Sequence, residues 1–337
     1  MDDLERQKLR HAWFPVATTR DVRIGVLTSA RLLDTRLVVT RTESKVVVAQ
    51  SDCPHRGADI GLGNVVGKTF ECPYHGWRYD FDGTCVDVPS LPDGVGHPTA
   101  RLGILNSLEK YGHIWVSLDD PELPMPHIDV LETGEWHVTA GKPRDVACGL
   151  RQITENFRDI SHFAFVHQGT MGPDVPRVVP PYRVEQHGSR LTWTIKTEYG
   201  AADILRESVI TDYSIHLPSI AYVNSRLDKG RRFNGQFVAP LGADAVRHFY
   251  LVGIDTEAVQ SGISLEEYAA LQARIYQEDI PIVESQLPKE APLDLHGQNH
   301  TRADKFSLAY RRLYAEWLTM QDQIWHGLRD RELRKAR

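Results

Sequence analysis

Short apolar runs broken by turn-forming residues dominate the N-terminal third of the chain. Leu37-Val38-Val39-Thr40, Lys45 to Gln50 and Tyr111 to Leu118 are rich in β-branched and aromatic residues, the pattern of strands rather than helices. Asp82-Gly83 separates Arg78-Tyr79-Asp80-Phe81 from Thr84-Cys85-Val86 and predicts a hairpin. These signals predict a small antiparallel β domain over residues 1–120. The proline-rich stretch Pro121-Glu122-Leu123-Pro124-Met125-Pro126 marks its end, and a second domain is expected over 127–337.

Beyond that boundary the pattern changes. Residues 152–166 read as one helix. Strand-like runs follow at Leu191 to Thr197, Glu207 to His216, Ser219 to Ser225, Arg232 to Ala239 and Arg247 to Ile254. Ser264-Leu265-Glu266-Glu267 is a capping-box sequence that opens a helix, continued at helical spacing by Leu265, Tyr268, Leu271 or Gln272, Ile275 and Tyr276. A last helix carries Phe306, Tyr310, Leu313, Trp317, Met320 and Ile324, whose alternating steps of four and three mark one apolar face for core packing. A run of strands followed by long helices indicates an α+β fold.

Composition bounds the class without altering this outline. The 337 residues suffice for two domains, and 41% hydrophobic with 25% charged residues is the balance of a soluble globular protein. A net charge of −6 argues against nucleic acid and anionic membranes as partners. With Met1-Asp2-Asp3 at the start no signal peptide is expected, and the longest apolar runs, such as Val46-Val47-Val48-Ala49, are too short to span a bilayer. A cytoplasmic location is expected, with Cys85 and Cys148 as reduced thiols.

Two clusters change the picture. Cys53-Pro54-His55 and Cys72-Pro73-Tyr74-His75 each pair a thiol with an imidazole, and sixteen residues lie between the two clusters. Two Cys and two His suit a Rieske [2Fe–2S] cluster, in which thiolates hold one iron and imidazoles the other. Structural zinc takes the same donor types, but usually with two to four residues between paired ligands, whereas the first pair here has one. Gly57, Gly76 and Gly83 fall where ligand loops must turn, and Pro54 and Pro73 stiffen them.

A cluster that moves electrons needs a destination. In Glu155-Asn156-Phe157-Arg158-Asp159-Ile160-Ser161-His162-Phe163-Ala164-Phe165-Val166-His167, polar residues recur among large apolar ones. His162 and His167 are five apart, about 140° of rotation on an ideal helix, so sharing a metal requires a π-bulge or a helix end between them. A mononuclear non-haem Fe(II) site needs two His and one carboxylate with open positions. Asp279, in Tyr276-Gln277-Glu278-Asp279-Ile280-Pro281, is the candidate carboxylate and Glu284 the fallback; a solvent-facing acid beside Glu278 fits the same residues.

With Cys-x-His, Cys-x-x-His and Asn156-x-x-Asp159-x-x-His162-x4-His167 in one chain, the sequence resembles the Rieske non-haem iron oxygenases from about Arg10 to Trp317. Glu155-Asn156-Phe157, Ser161 to His167 and Glu278 to Gln286 are similar to bacterial methylxanthine N-demethylases and, beyond them, vanillate- and dicamba-type O-demethylases. The resemblance implies an antiparallel β Rieske domain followed by a helix-grip domain with a curved antiparallel sheet and long helices. It implies that Cys53, His55, Cys72 and His75 hold the cluster, and that His162, His167 and Asp279 hold the iron. Asp159 would bridge an iron-ligand His to a cluster His of a neighbouring subunit in a homotrimer, and Asn156 would lie near the iron. Respiratory Rieske proteins carry an extra Cys in each ligand loop; Ala58 and Tyr74 stand at those places.

The expected activity is oxidation of a C–H bond with O2, ending in N- or O-demethylation, or in hydroxylation of a ring or alkyl carbon. Gly61-Leu62-Gly63-Asn64-Val65-Val66-Gly67 lacks the spacing of a dinucleotide fingerprint, so electrons are expected from a separate NAD(P)H-dependent reductase or ferredoxin. The strands from about 191 to 254 are expected to wall the pocket. They mix Trp193, Tyr213, Tyr222 and Phe237 with Asn224, Asn234 and His248, which suits a partly polar aromatic or heterocyclic substrate. An electron carrier without a second iron and a zinc-stabilised binding module are the readings from other classes.

Overall fold

The computed structural model describes residues 1–320 apart from 93–94, 97, 134, 174 and 199–207. Two compact units emerge: Arg6–Pro124, and Met1–Glu5 with the chain from Met125 onward.

After α1 (Asp3–Arg10) the first unit is built from short strands. These are β1 (Phe14–Thr18), β2 (Thr28–Leu32), β3 (Thr35–Arg41), β4 (Val46–Gln50), β5 (Asn64–Val66), β6 (Thr69–Glu71), β7 (Arg78–Asp80), β8 (Cys85–Asp87), β9 (Asn106–Lys110) and β10 (His113–Ser117). They form antiparallel sheets in the orders β1-β10-β9, β2-β3-β4 and β5-β6-β7-β8. Asp80 Oδ1 closes the predicted hairpin by accepting from the backbone N–H of Asp82 at 3.0 Å and Thr84 at 2.8 Å. The strand expected from Tyr111 starts instead at His113. Tyr111 and Gly112 have φ of +52° and +70°, which makes them the two-residue turn between β9 and β10. Val38, Val47, Ile60, Phe70 and Tyr79 form an apolar core that also encloses Cys53 and Cys72.

In the second unit, α2 (Asp129–Glu132) precedes β11 (Trp136–Ala140) and β12 (Arg144–Val146). Then come β13 (Glu185–His187), β14 (Arg190–Glu198), β15 (Ser208–His216), β16 (Ile220–Arg226), β17 (Arg231–Pro240) and β18 (Val246–Asp255). The eight strands make one antiparallel sheet, β11-β18-β17-β16-β15-β14-β13, with β12 also paired to β18. Each of the five strands expected from 191 to 254 lies within one residue of its expected bounds; Glu207 falls outside the described residues.

The single helix expected over 152–166 is broken into α3 (Leu150–Asn156), α4 (Phe163–Val166) and α5 (Gln168–Met171). Asp159 causes the break, because its Oδ1 accepts from the Ser161 backbone N–H at 2.8 Å and the Ser161 hydroxyl at 2.6 Å, a local turn that competes with the helix. The start of α3 is capped from a distance: Glu290 Oε1 accepts from the N–H groups of Arg151 and Gln152 at 2.8 and 3.3 Å. Gly149 permits that approach, since a Cβ there would lie 2.5 Å from Glu290 Cδ.

α6 (Thr256–Gln260) leads to α7 (Leu265–Ser285) and α8 (Lys305–Thr319). Half of the expected capping box forms, with the Ser264 hydroxyl accepting from the Glu267 N–H at 3.3 Å. α7 buries Tyr268, Leu271, Gln272, Ile275, Tyr276 and Asp279 and continues past Pro281. On α8, Phe306, Tyr310, Leu313 and Trp317 are buried, Met320 is the C-cap, and Ile324 lies outside the described residues. Arg311 of α8 reaches Glu155 of α3 through Nε and Nη2, at 2.6 and 2.8 Å. No helix among the described residues is long and apolar enough to cross a membrane.

Candidate metal centres

In the first unit, the two Cys–His loops share one backbone frame. The N–H of Gly57 donates to Cys53 O and that of Gly76 to Cys72 O; the N–H of Cys53 donates to Ala58 O and that of Cys72 to Trp77 O. Both glycines adopt positive φ, +69° and +71°, the left-handed conformation that closes each turn. The frame points both thiols inward, 3% and 2% exposed, and leaves His55 half-buried and His75 exposed. The two imidazole centroids are 4.7 Å apart, and His55 stacks on Trp77 at 4.2 Å.

This arrangement fits a two-iron cluster with a thiolate end and an imidazole end. Burial pushes the Cys72 thiol up, with Cys53 adding to the effect, so a thiolate pair here calls for a compensating cation. Desolvation, then His75 and Arg56, hold His55 below its ordinary value, which favours the neutral ring that binds metal. Cys85 and Cys148 are free and buried.

In the second unit, the helix break puts His162 at the N-cap of α4 and His167 at the junction of α4 and α5. Their Nε2 atoms lie 3.2 Å apart, and Asp279 Oδ1 is 3.3 Å from one and 3.4 Å from the other. Three donor atoms thus form a nearly equilateral triangle on one side of a cavity. Among the described residues this is the group of three whose ligand atoms gather within 4.8 Å. Two His and one carboxylate on one face is the donor set of a non-haem Fe(II) site. Glu284 lies apart, with its Oε1 accepting from the Ala147 N–H at 2.9 Å.

Each imidazole is oriented from behind by a carboxylate. His162 Nδ1 faces Asp159 Oδ2 at 3.2 Å, and His167 Nδ1 faces Glu278 Oε2 at 2.9 Å. Such partners fix the tautomer and turn Nε2 toward the metal. Glu278, which sequence reasoning leaves as a neighbour of Asp279, is also held by the Thr170 hydroxyl at 2.8 Å. Burial alone would lower the His162 pKa, but Asp159 and Asp279 outweigh it and raise it to about 9. Burial opposes ionisation of Asp279, yet His162 and His167 hold it below its usual range. Asn156 donates from Nδ2 to Asp279 Oδ1 at 3.4 Å.

The cavity offers about 110 Å³ to the centres of water-sized molecules, within some 770 Å³ of empty space that includes its mouth. Its walls include Phe157, Phe163, Met171, Val209 and Ile275, together with the polar Thr211, Arg158, Arg232, Asn234 and Gln236. Of the residues expected to wall it, Tyr213 and Asn234 do. Tyr222, Asn224 and Phe237 take positions that alternate with Val223, Asn234 and Gln236 and so point to the other face of the sheet. Trp193 is buried between Tyr213 and Phe306, and His248 packs against Phe157 and Tyr276.

Comparison with known proteins finds a match for each part of the chain. Residues 12–109 match the Rieske [2Fe-2S] domain, and residues 146–320 match the vanillate O-demethylase oxygenase C-terminal domain. The chain is 29% identical to methylxanthine N1-demethylase NdmA of Pseudomonas putida over 93% of its length and 90% of that protein's. It is 28% identical to methylxanthine N3-demethylase NdmB of the same organism, with the same coverage. The solved structure of P. putida NdmA with caffeine superposes with a TM-score of 0.86 at 26% identity, over 97% of this chain and 96% of that one. Dicamba monooxygenase bound to dicamba, at 19% identity and a TM-score of 0.78, shares the fold. With a Rieske domain, the vanillate O-demethylase type of C-terminal domain and donor sets for both metals, the chain belongs to the Rieske non-haem iron oxygenases, enzymes that carry a [2Fe–2S] cluster and a mononuclear iron.

Proposed function

We propose that the protein is a monooxygenase that removes an N- or O-bound methyl group from a small aromatic or heterocyclic substrate. The observation that carries this reading is the triangle of His162, His167 and Asp279 facing a cavity lined by apolar and polar side chains. The demethylase activities of NdmA and NdmB support it.

In this reading Cys53, His55, Cys72 and His75 hold the cluster, and His162, His167 and Asp279 hold the iron. When bound, the cluster supplies electrons singly and the iron supplies activation of O2. The protein's part is positioning and exclusion of water. Asp159 and Glu278 keep the two imidazoles aimed at one point. Phe157, Phe163 and Ile275 keep the neighbourhood of Asp279 dry, and the polar wall orients the substrate. The overall change takes R–X–CH3, O2, two electrons and two protons to R–X–CH2OH and water. That carbinol then breaks its X–C bond to release R–XH and formaldehyde.

The reading includes a separate NAD(P)H-dependent reductase or ferredoxin as electron source, and a homotrimer in the cytoplasm. Asp159 would join His162 to a cluster histidine of a neighbouring copy. Its side chain, 29% exposed, is accessible to a second chain while Ser161 and His162 hold it.

Oxygen uptake and formaldehyde release, measured over methylated candidates with a surrogate reductase, test the function. Formaldehyde should appear in step with O2 consumed, from protein holding three irons per chain. A hydroxylated product without formaldehyde would overturn demethylation, and two irons per chain would favour an electron carrier. Asp159→Asn should retain both metals but slow single-turnover oxidation by about 10–100-fold. Unchanged single-turnover kinetics would count against the bridge.

A further inference from the structure

A group of buried charged side chains gathers away from the metal donors, where Glu5 at the start of α1 meets α3 and α8. The network holds the carboxylates Glu5, Glu155 and Glu290 and the guanidiniums Arg151 and Arg311. Arg311 is committed to both oxygens of Glu155 through Nε and Nη2. Arg151 is thus left with two carboxylates. Its Nη1 donates to Glu5 Oε1, and the Tyr314 hydroxyl donates to the same oxygen at 2.8 Å. Its Nε donates to the Ala291 carbonyl at 2.8 Å and stands 3.6 Å from Glu290 Oε1, beyond hydrogen-bond reach.

Glu290 is therefore short of positive charge. Its Oε1 caps α3, while its Oε2 is buried without a hydrogen-bond partner among the described residues. The other titratable groups that face it are Cys148, just before α3, and Tyr310 and Tyr314 of α8. Burial raises the pKa of all three, so they stay neutral and supply no cation. Lys289, its neighbour in the chain, donates to the Glu284 carbonyl. Burial raises the Glu290 pKa to about 7 against the pull of Arg151, and Glu5 adds to the rise. Two carboxylates around one desolvated guanidinium favour keeping a proton on one of them, and they repel once both ionise. The first five residues group with the second unit rather than with the chain that follows them, and Glu5 is the buried one among them.

We propose that Glu5, Arg151 and Glu290 form a pH-sensitive latch for the first five residues. With Glu290 protonated, Arg151 serves Glu5 alone and holds the segment down. With Glu290 ionised, one guanidinium is divided between two carboxylates and the segment loosens. The folded state binds this proton more tightly than the unfolded chain does. The latch is therefore at full strength below the ordinary carboxylate value of 4.5 and is lost as pH rises through about 7. It takes no part in the oxidation step, so it stands or falls apart from the demethylase reading.

Hydrogen exchange of the full chain tests it, followed by mass spectrometry on the peptide covering residues 1–9 and corrected for the intrinsic effect of pH. Protection should fall about 10-fold between about pH 6 and pH 8, because each unit of pKa difference between the latched and released states is a factor of ten. Glu290→Gln keeps an oxygen to cap α3 but cannot ionise, so it should hold the pH 6 level of protection throughout. Glu5→Gln should lower protection at both values and remove most of the pH dependence. Groups elsewhere titrate alike in native protein and variants, so the comparison isolates the latch. Native protection that does not fall with pH, or an equal fall in Glu290→Gln, overturns the proposal. If Glu290→Gln does not fold, Glu5→Gln decides: a pH dependence as large as the native one removes the latch, and its loss supports it.

Discussion

His162→Ala is expected to abolish turnover while leaving the visible spectrum of the cluster intact. The four Cys and His side chains offered to the cluster all lie in the unit Arg6–Pro124, whereas His162 belongs to the other unit. Its removal takes one donor from a triangle with edges of 3.2, 3.3 and 3.4 Å and leaves Asp159 without the ring it orients. A single His and a carboxylate do not retain Fe(II) against water, so iron content should fall from three to two per chain. Metal analysis beside oxygen uptake checks both parts. Full activity in this variant would refute the ligand assignment, and loss of the cluster spectrum would show that the two centres are not independently held.

Arg311→Met is expected to be strongly destabilising while leaving every metal ligand in place. Arg311 and Glu155 are 4% and 9% exposed and share two hydrogen bonds at 2.6 and 2.8 Å. Removing one partner of a buried pair strands the other charge and costs about 3–5 kcal/mol. For a domain of this size that lowers the melting temperature by roughly 6–20 °C. Arg311 also donates through Nη1 to Gln298 at 2.8 Å, so the loss extends beyond one pair. Glu155→Met combined with Arg311→Met should melt above either single variant, because no unpaired charge remains. Thermal unfolding followed by tryptophan fluorescence checks this; a shift under about 2 °C in Arg311→Met would mean that the pair contributes nothing net.

The strands and long helices are legible in the chain because their signals are local. The β-branched and aromatic runs from 191 to 254 mark strands, of which β17 and β18 are buried almost throughout, while steps of three and four in α7 and α8 report burial on one helix face. The cluster loops are legible because Cys, Pro, His and Gly recur at close spacing. The break between α3 and α4 is harder to see, since large apolar residues on both sides favour one continuous helix. Asp159 followed by Ser161 is the local signal for it, an Asx-type turn.

Long-range features escape the sequence. Glu278 matters because it meets His167, more than a hundred residues away. Alternation shows that a strand has two faces but not which one the helices cover. Aromatic content therefore points to Tyr222 and Phe237, while the cavity uses Thr211, Arg232 and Gln236.

One amide on β17 has a reach beyond its size. Asn234 donates from Nδ2 to Gln272 Oε1 at 2.8 Å and accepts at Oδ1 from the Tyr276 hydroxyl. Gln272 and Tyr276 are four apart on α7, and Asp279 and Glu278 lie on the next turn, one offered to the metal and the other steadying His167. Rotation of that helix by one residue position, about 100°, would therefore carry a ligand and a support out of place together. Asn234 acts as a torsional key for α7, set in the sheet and read out at the metal. Iron occupancy thus serves as a gauge of helix angle: drift in the packing of β17 against α7 should register as lost metal before it registers as lost fold.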